Sequence, residues 1–527
     1  MYAEAAGIAR IFPAAIAVPL DADDVSQLVM WARAGGLSLT PRGSGSSMAG
    51  GALGSGVVVD LSRFRSRSAV DIVTRTIRVG TGVLRNEVDA DVRAVGLRFP
   101  VDPSSGAFCT IGGMIATNAA GARTLRYGST RPWVRGLYCV FDDGSRAWLR
   151  RDEALPLHVP AVARLATAMQ FARTQLPTGA MSHTGVRKES SGYGVDAALR
   201  AGGHLIDVLV GSEGTLALFL ETELALCVTA GATASVLASF PTLERASQCA
   251  VRAREFGASA CELLDRTFLD IAASNGSLGV AAGADAVLLI EVEGDDAHAA
   301  RAACETIASA CRACGAMDVM TAIDRAQEER LWELRHAASP ILARLAPRVR
   351  SMQFVEDGCV PPEHFPAYVL GVRSTLSHFD VPGVIFGHAG DSHAHVNPLI
   401  DVMQHGWRDR VRGIFDEITA LTVKLGGTLS GEHGDGRLRA PAWRAVWSMQ
   451  AQEMFSRVKL AADPSGTFNI GCKIARDGDR SIDVVRYDAD APPLEPSARA
   501  TLDAIERDRR WHQFRLSADS DARATHS

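Results

Sequence analysis

"PRGSGSSMAGGALGSG", residues 41–56, follows the short strand-like run "LSLT" at 37–40. Glycine and serine dominate it. Small residues let backbone N–H groups close on an anionic group, and serine hydroxyls add donors. The loop lacks the Gly-Lys-Ser/Thr ending of a P-loop and the G-x-G-x-x-G spacing of a dinucleotide-binding turn. Taken alone it reads equally well as a flexible turn. Two further loops of the same grain change that reading: "DPSSGAFCTIGGMIATNAAGARTLRYG" runs from 102 to 128, and "VGSEGTLALF" starts at 210. Three such loops in one region exceed what turns require. They suit a long, polyphosphate-bearing ligand lying along an extended crevice.

The chain around them has 527 residues, which at ~150 per domain predicts about three domains. Apolar residues make up 47% and charged residues 22%, a globular balance with enough material for a sizeable core. Lysine plus arginine is 55 and aspartate plus glutamate 60, a net charge of −5. That argues against a basic nucleic-acid footprint. It leaves room for a small acidic substrate, which needs only a locally basic pocket. No apolar run reaches the ~18 residues of a membrane-spanning helix. "IFPAAIAVPL" at 11–20 carries two prolines and reads as a strand entering a domain rather than a signal-peptide core. The ten cysteines form no disulfide-like framework. Cys311 and Cys314 make a lone C-x-x-C, read as buried or surface thiols, with no second cluster to hold an iron–sulfur centre. A reduced cytoplasmic protein fits best, and peripheral membrane association is compatible with it.

Residues 1–227 mix short apolar strands, glycine-rich loops and helical segments, an α+β pattern. From 228 to 425 strands such as "ATASVLASF" and "DAVLLIEVEG" alternate with helices, which predicts a smaller sheet with helices on one face. Glycine-rich loops return over 426–476, as if the chain re-enters the first domain. The segment 477–527 reads as a polar tail, partly mobile.

"GHAGDSHAHVNP", 387–398, sets His388 and His395 seven residues apart in a strand-like run, with His393 between them. The pair by itself is as readable as polar residues on an exposed strand face.

The three loops, in this order, together with "LWELRHAASP", "VEDGCVPPEHF", "FGHAGDSHAHVNP" and "GGTLSGEHGDGRLRAP", resemble the FAD-linked oxidase family with a vanillyl-alcohol-oxidase-type fold. Within it they resemble the D-lactate, glycolate and D-2-hydroxyglutarate dehydrogenase group, over about 12–475. The resemblance implies a two-part FAD-binding domain with an inserted α+β cap that carries the substrate. Pro41, Arg42, Gly43, Ser44, Gly45, Ser46, Ser47 and Met48 would cradle the pyrophosphate. Pro103, Ser104, Thr110, Gly112, Gly113, Asn118, Gly121, Gly211, Glu213, Gly214 and Asn469 would complete the FAD site. No histidine lies beside the first loop, so non-covalent FAD is expected.

The resemblance also assigns His388, His395 and Glu432 as ligands of a divalent metal. Two imidazoles and one carboxylate leave open positions, as in a catalytic site, and the ligand set favours zinc, with manganese or iron as alternatives. A 2-hydroxyacid could chelate such a metal through its hydroxyl and one carboxylate oxygen. Metal coordination lowers the pKa of a bound water from 15.7 to roughly 7–9, and a bound alcohol responds similarly. His433 matches the catalytic base, Arg335 the substrate-carboxylate grip and Asn397 a polar residue near the substrate.

Three departures stand out. Ser392–His393 replace the family's Gly-Asn pair. Val355 stands where relatives that hold a second carboxylate have a lysine, with Arg350 or Gln353 as stand-ins. "NIGCK", 469–473, replaces Asn-Pro-Gly-Lys. "GEHGDGRLRAP" is closest to a subgroup fused to an iron–sulfur domain, which this sequence lacks. Electrons would therefore leave to a separate acceptor: an iron–sulfur protein, a quinone or dioxygen. A homodimer is compatible with the chain. Two other classes stay open, a zinc hydrolase, which would purify without a flavin absorption band, and an electron-transfer flavoprotein with a degenerate site, whose flavin no 2-hydroxyacid would bleach.

Overall fold

The strand Leu39–Arg42, which delivers the first glycine-rich loop, lies in a three-stranded parallel sheet of order Ala15–Ala17, Val57–Asp60, Leu39–Arg42. A computed structural model describes residues 1–511 apart from 178, 274–282, 337–341, 343–347 and 509–510. The helix Ala22–Ala34 covers this sheet through Val25, Val29 and Ala32, and its start is capped by the Asp21 side chain. A four-stranded antiparallel sheet follows, in the order Thr76–Gly80, Leu218–Ala225, Val134–Val140, Arg146–Arg150. The helix Ile111–Thr117 packs Ile111, Met114 and Ile115 into the core beside it. The second loop is thereby held against the first: both border one cleft.

After residue 230 the chain builds an eight-stranded antiparallel sheet whose central strands are Ala232–Phe240, Ala286–Gly294, Ala260–Asp265, Gly383–Gly387 and His393–Asp401. This corrects the expectation of a smaller sheet covered on one face. The strand Ala286–Gly294 is buried on both sides for nearly its whole length. Leu288, Ile290 and Val292 join one apolar cluster, while Val287 and Leu289 join another with Phe268, Leu331 and Leu334. Continuous apolar runs of this kind need cover on both faces. The helices Leu243–Ala250, Ala297–Ala313 and Phe365–His378 supply it on one side, Arg266–Ala273 and Arg325–His336 on the other.

The segment 426–476 goes back to the first core. Trp443, Trp447, Met454, Phe455 and Val458 bury themselves there, and the Leu39 N–H donates to the Thr467 carbonyl at 2.8 Å. The tail, as far as it is described, forms the helix Pro496–Asp508, which seats Leu502 and Ile505 with Trp511 against Phe108. Its continuation from 512 lies outside the described residues. Ten thiols are free, with Cys311 buried and Cys314 half-buried.

Candidate active site

Strand alternation builds the site. In His393–Asp401 the side chains of His393, His395 and Asn397 share one face of the large sheet, while Ala394 and Val396 point into the apolar core on the other. The neighbouring strand pairs Phe386 with His395, so the hairpin end brings His388 beside them. The next strand pairs Leu263 with Gly387, which sets Glu262 next to His388.

The two expected histidine ligands are held the same way. His388 Nδ1 lies 2.5 Å from Glu262 Oε1, and His395 Nδ1 lies 2.7 Å from the Glu356 carbonyl. Each ring thus donates from Nδ1 and turns Nε2 inward. These Nε2 atoms stand 3.1 and 3.3 Å from Glu432 Oε1. His388 Nε2, His395 Nε2 and Glu432 Oε1 thus converge on one point, which either a proton shared between His388 and Glu432 or a divalent cation can hold together. A carboxylate or carbonyl behind each imidazole is the arrangement that orients metal-binding histidines. The donor set therefore fits a divalent metal. Burial opposes the charged form of His388, but Glu262 and then Glu432 overcome it and raise its pKa to about 9. Burial likewise pushes Glu432 up, yet Lys188 and then His388 hold it well below the carboxylate range.

Asp357 organises the loop that carries Glu432. Its carboxylate accepts from Ser430 Oγ at 2.8 Å, the Glu432 N–H at 3.1 Å, the His433 N–H at 2.9 Å and His393 Nε2 at 2.9 Å. Burial works against the Asp357 charge, and His433, His393 and Arg439 outweigh it. His433 puts Nδ1 3.2 Å from Glu356 Oε1, leaving Nε2 facing the ligand cluster 3.9 Å from Glu432 Oε1. Its side chain is 27% exposed where those of His388, His395 and Glu432 are under 10%, so it is the imidazole most open to solvent. Arg335 is neither loose nor on a helix surface. It is buried, with Nε 2.5 Å from Glu262 Oε2 and its guanidinium 5.1 Å over the Phe386 ring.

His388, His395, Glu432, Glu356, His433 and Arg335 open onto one cleft of about 1580 Å³. Pro41 to Met48, Pro103, Ser104, Thr110, Gly112, Gly113, Gly121, Glu213 and Gly214 line it, as do Arg335, Asn397 and His433. The volume exceeds the ~300–1,000 Å³ of ordinary small-ligand pockets and suits a dinucleotide with a substrate beside it. Ser47 Oγ is buried on this wall with no partner among the described residues, a donor awaiting a ligand. A Cβ built on Gly113 would come no nearer to protein than 3.3 Å, at Thr110 Oγ1. That contact is tight, so the Thr110 hydroxyl must give slightly to admit any side chain at this point of the cleft wall. These residues fit FAD.

Some expected FAD residues stand elsewhere. Asn118, Gly211 and Asn469 lie behind the cleft wall. Asn118 ends the helix Ile111–Thr117 in a left-handed conformation and accepts from the Arg131 N–H at 2.9 Å. Gly211 donates to the Ile115 carbonyl at 2.9 Å. Asn469 Nδ2 donates to the carbonyls of Gly51 and Glu213 at 2.9 and 2.7 Å. Arg42 lines the cleft, yet its guanidinium donates to the carbonyls of Tyr2 and Glu4. Glu213 spends its carboxylate on the Asp435 N–H at 2.7 Å and Lys473 Nζ at 3.1 Å. The altered "NIGCK" loop therefore sits behind Glu213, with Cys472 buried. Arg350 and Gln353 both reach the cleft, while Val355 belongs to the apolar core.

Four residues were missed: Glu262, Glu356, Asp357 and Lys188. Glu356 and Asp357 stand in the quoted "VEDGCVPPEHF", and lysine usage is the signal for Lys188. Of 55 basic residues four are lysine, and Lys188 and Lys473 are buried to 3% and 1% exposure. Tail residues Tyr487, Asp503, Glu506, Arg507 and Trp511 also line the cleft.

Residues 13–150 match the family model described as the FAD binding domain, and 230–472 that of the FAD linked oxidases, C-terminal domain. The chain belongs to the FAD-linked oxidase family. It is an FAD-linked oxidoreductase with the two-domain fold of the vanillyl-alcohol-oxidase type. It is 28% identical to the glycolate oxidase subunit GlcD of Bacillus subtilis over 89% of this chain and 91% of that one. It is 28% identical to the D-lactate dehydrogenase of Archaeoglobus fulgidus over 87% of this chain and 90% of that one. The D-2-hydroxyglutarate dehydrogenase of Escherichia coli is 28% identical over 88% of this chain but 48% of its own length. Among solved structures, an alkyldihydroxyacetonephosphate synthase superposes with a TM-score of 0.59 over 88% of this chain and 77% of that one, at 15% identity. That likeness concerns the fold alone. No described helix is long and apolar enough to cross a membrane.

Proposed function

We propose that the chain oxidises a D-2-hydroxyacid to the 2-oxoacid. The observation that carries this reading is the convergence of His388 Nε2, His395 Nε2 and Glu432 Oε1 in the cleft that the glycine-rich loops line, with Arg335 and His433 beside them. Bound FAD supplies the acceptor for the Cα hydride, and a bound divalent metal, zinc foremost, makes the substrate hydroxyl more acidic.

The protein's own groups do the rest. Arg335, pinned through Nε to Glu262, presents a fixed planar cation to the substrate carboxylate. His433 Nε2 takes the hydroxyl proton, a step typically worth about 10²- to 10⁴-fold. Glu356 behind its Nδ1 stabilises the imidazolium that forms. Asn397 offers a polar contact on the same strand face as His395.

The relatives' names support a hydroxyacid of the glycolate, D-lactate or D-2-hydroxyglutarate kind. One relative is named a subunit, which supports a separate electron acceptor, an iron–sulfur protein or a quinone, for a cytoplasmic enzyme. The test is an anaerobic panel of D-2-hydroxyacids against the purified flavoprotein, following the flavin absorption near 450 nm. Bleaching by one or more of them is expected. A flavin that dithionite reduces and no 2-hydroxyacid does would overturn the reading.

A further inference from the structure

Lys188, in the stretch "VRKESSGY" of the FAD domain, reaches into the candidate metal site from the opposite wall. Its Nζ lies 2.7 Å from Glu432 Oε2 and 3.2 Å from His393 Nδ1. The side chains of Lys188 and Glu432 are 1% and 8% exposed. The two oxygens of Glu432 are thus divided: Oε1 faces His388 and His395, Oε2 faces the ammonium.

His393 completes the arrangement. By distance alone it belongs with His388, His395 and Glu432 as a fourth ligand. Its hydrogen bonds say otherwise. Nε2 donates to Asp357, so Nδ1 carries the lone pair, and that lone pair accepts from Lys188. A fully buried neutral imidazole with both nitrogens engaged has nothing left for a metal or a substrate proton.

We propose that Lys188 is a positioning residue that restricts Glu432 to a single metal-binding oxygen, with His393 and Asp357 holding the ammonium in place. This rests on the reading that His388, His395 and Glu432 bind a divalent metal. A compact point charge on a flexible stem suits the task, whereas a guanidinium would need more room and a planar partner. With one carboxylate oxygen occupied, an open coordination position is preserved for a bidentate substrate. The positive charge also weakens metal binding by direct repulsion.

The experiment uses the FAD-loaded enzyme, stripped with a chelator and titrated with cobalt(II). Lys188→Met is expected to keep its flavin, to bind cobalt with weaker visible ligand-field bands as Glu432 becomes bidentate, and to release it to chelator about tenfold more slowly. His393→Asn is expected to bind cobalt with unchanged stoichiometry. If Lys188→Met fails to retain FAD, Lys188→Gln carries the test, with the same direction and a smaller change. A cobalt spectrum and release rate identical to wild type in the Lys188 variant would overturn the proposal and leave the metal reading standing. So would loss of cobalt in His393→Asn, which would make His393 a ligand. Wild-type enzyme that takes up neither cobalt nor zinc overturns the metal reading, and the proposal with it.

Discussion

Glu262 bridges Arg335 and His388: one carboxylate oxygen stands 2.5 Å from Arg335 Nε, the other 2.5 Å from His388 Nδ1. A single buried side chain thus orients both the expected substrate cation and an expected metal ligand. Burial opposes its charge, and His388 and Arg335 together still drive its pKa far down. Replacing it with Gln keeps the shape and removes the charge that fixes the His388 tautomer. Metal affinity is expected to fall about 10- to 100-fold, the usual cost of losing such a partner. KM should rise in the same variant, because Arg335 loses its anchor. Metal content after dialysis, set beside steady-state kinetics, checks both effects.

His433 and Arg335 are expected to fail in different ways. His433→Asn removes a proton acceptor used only on the way to the transition state, so kcat and kcat/KM should fall together. Arg335→Ala removes a contact to a carboxylate charged in ground and transition states alike, so KM should rise more than kcat falls. Arg335→Lys should recover part of the affinity, since charge returns without the planar fork. Steady-state kinetics with a bleaching substrate separates the two.

Bulk at Gly43 and at Gly113 tests the FAD cradle at two levels. A Cβ on Gly43 would stand 2.2 Å from Thr110 Oγ1, so Gly43→Val should disturb the loop itself and lower both Tm and FAD content. Gly113→Ala meets only the Thr110 hydroxyl, at a tight 3.3 Å that a small shift relieves, so Tm of the apoprotein should fall less than in Gly43→Val while FAD content falls. Flavin-to-protein absorbance ratios and apoprotein melting curves distinguish these outcomes.

The tail is tied to the N-terminus through Glu4, which accepts from Arg10 at 2.7 Å and from Arg499 at 2.8 Å, with Arg486 at 3.6 Å. Burial pushes its pKa up, but Arg486 and Arg499 prevail and lower it. A depressed carboxyl contributes stability above its unfolded pKa of ~4.3, and that contribution drains away as pH falls through the folded value. Tail docking should therefore be intact at neutral pH and loosen in acid. Glu4→Gln removes the carboxylate shared by three arginines, while Arg486 keeps Glu506 at 2.7 Å and Arg499 keeps Asp503 at 2.8 Å, so it should cost about 1–2 kcal/mol and loosen the tail at neutral pH. Limited proteolysis of the 477–511 segment across pH, for both proteins, reads this out.

Ser392 holds a left-handed backbone, φ +59°, and its buried Oγ has no partner among the described residues. A left-handed L-residue costs roughly 1–2 kcal/mol, whereas glycine gives back only about 0.5–1 kcal/mol in chain entropy. Ser392→Gly should stabilise the protein by about 1 kcal/mol, seen as a higher Tm with the flavin spectrum unchanged.

Much of this was legible in the chain itself. The glycine-rich loops announced themselves because close backbone approach demands small side chains, whatever the fold around them. His388, His395, Asn397 and Glu432 could be singled out only through the resemblance of their short motifs to a family, since the histidine pair by itself read equally well as an exposed strand face. Sheet register and domain docking decided the rest. Glu262 is 126 residues from His388, and only the pairing of Leu263 with Gly387 brings them together. Lys188 lies 244 residues from Glu432, and only the return of the chain to the first core brings the two together. The second apolar face of the large sheet was hidden because a run buried on both sides has no period to read. Asn118, Gly211 and Asn469 sit in motifs that border the cleft, yet a left-handed cap and backbone hydrogen bonds place them behind its wall. Local sequence sets which residues can do the chemistry; the long-range register sets which atoms of those residues face one another.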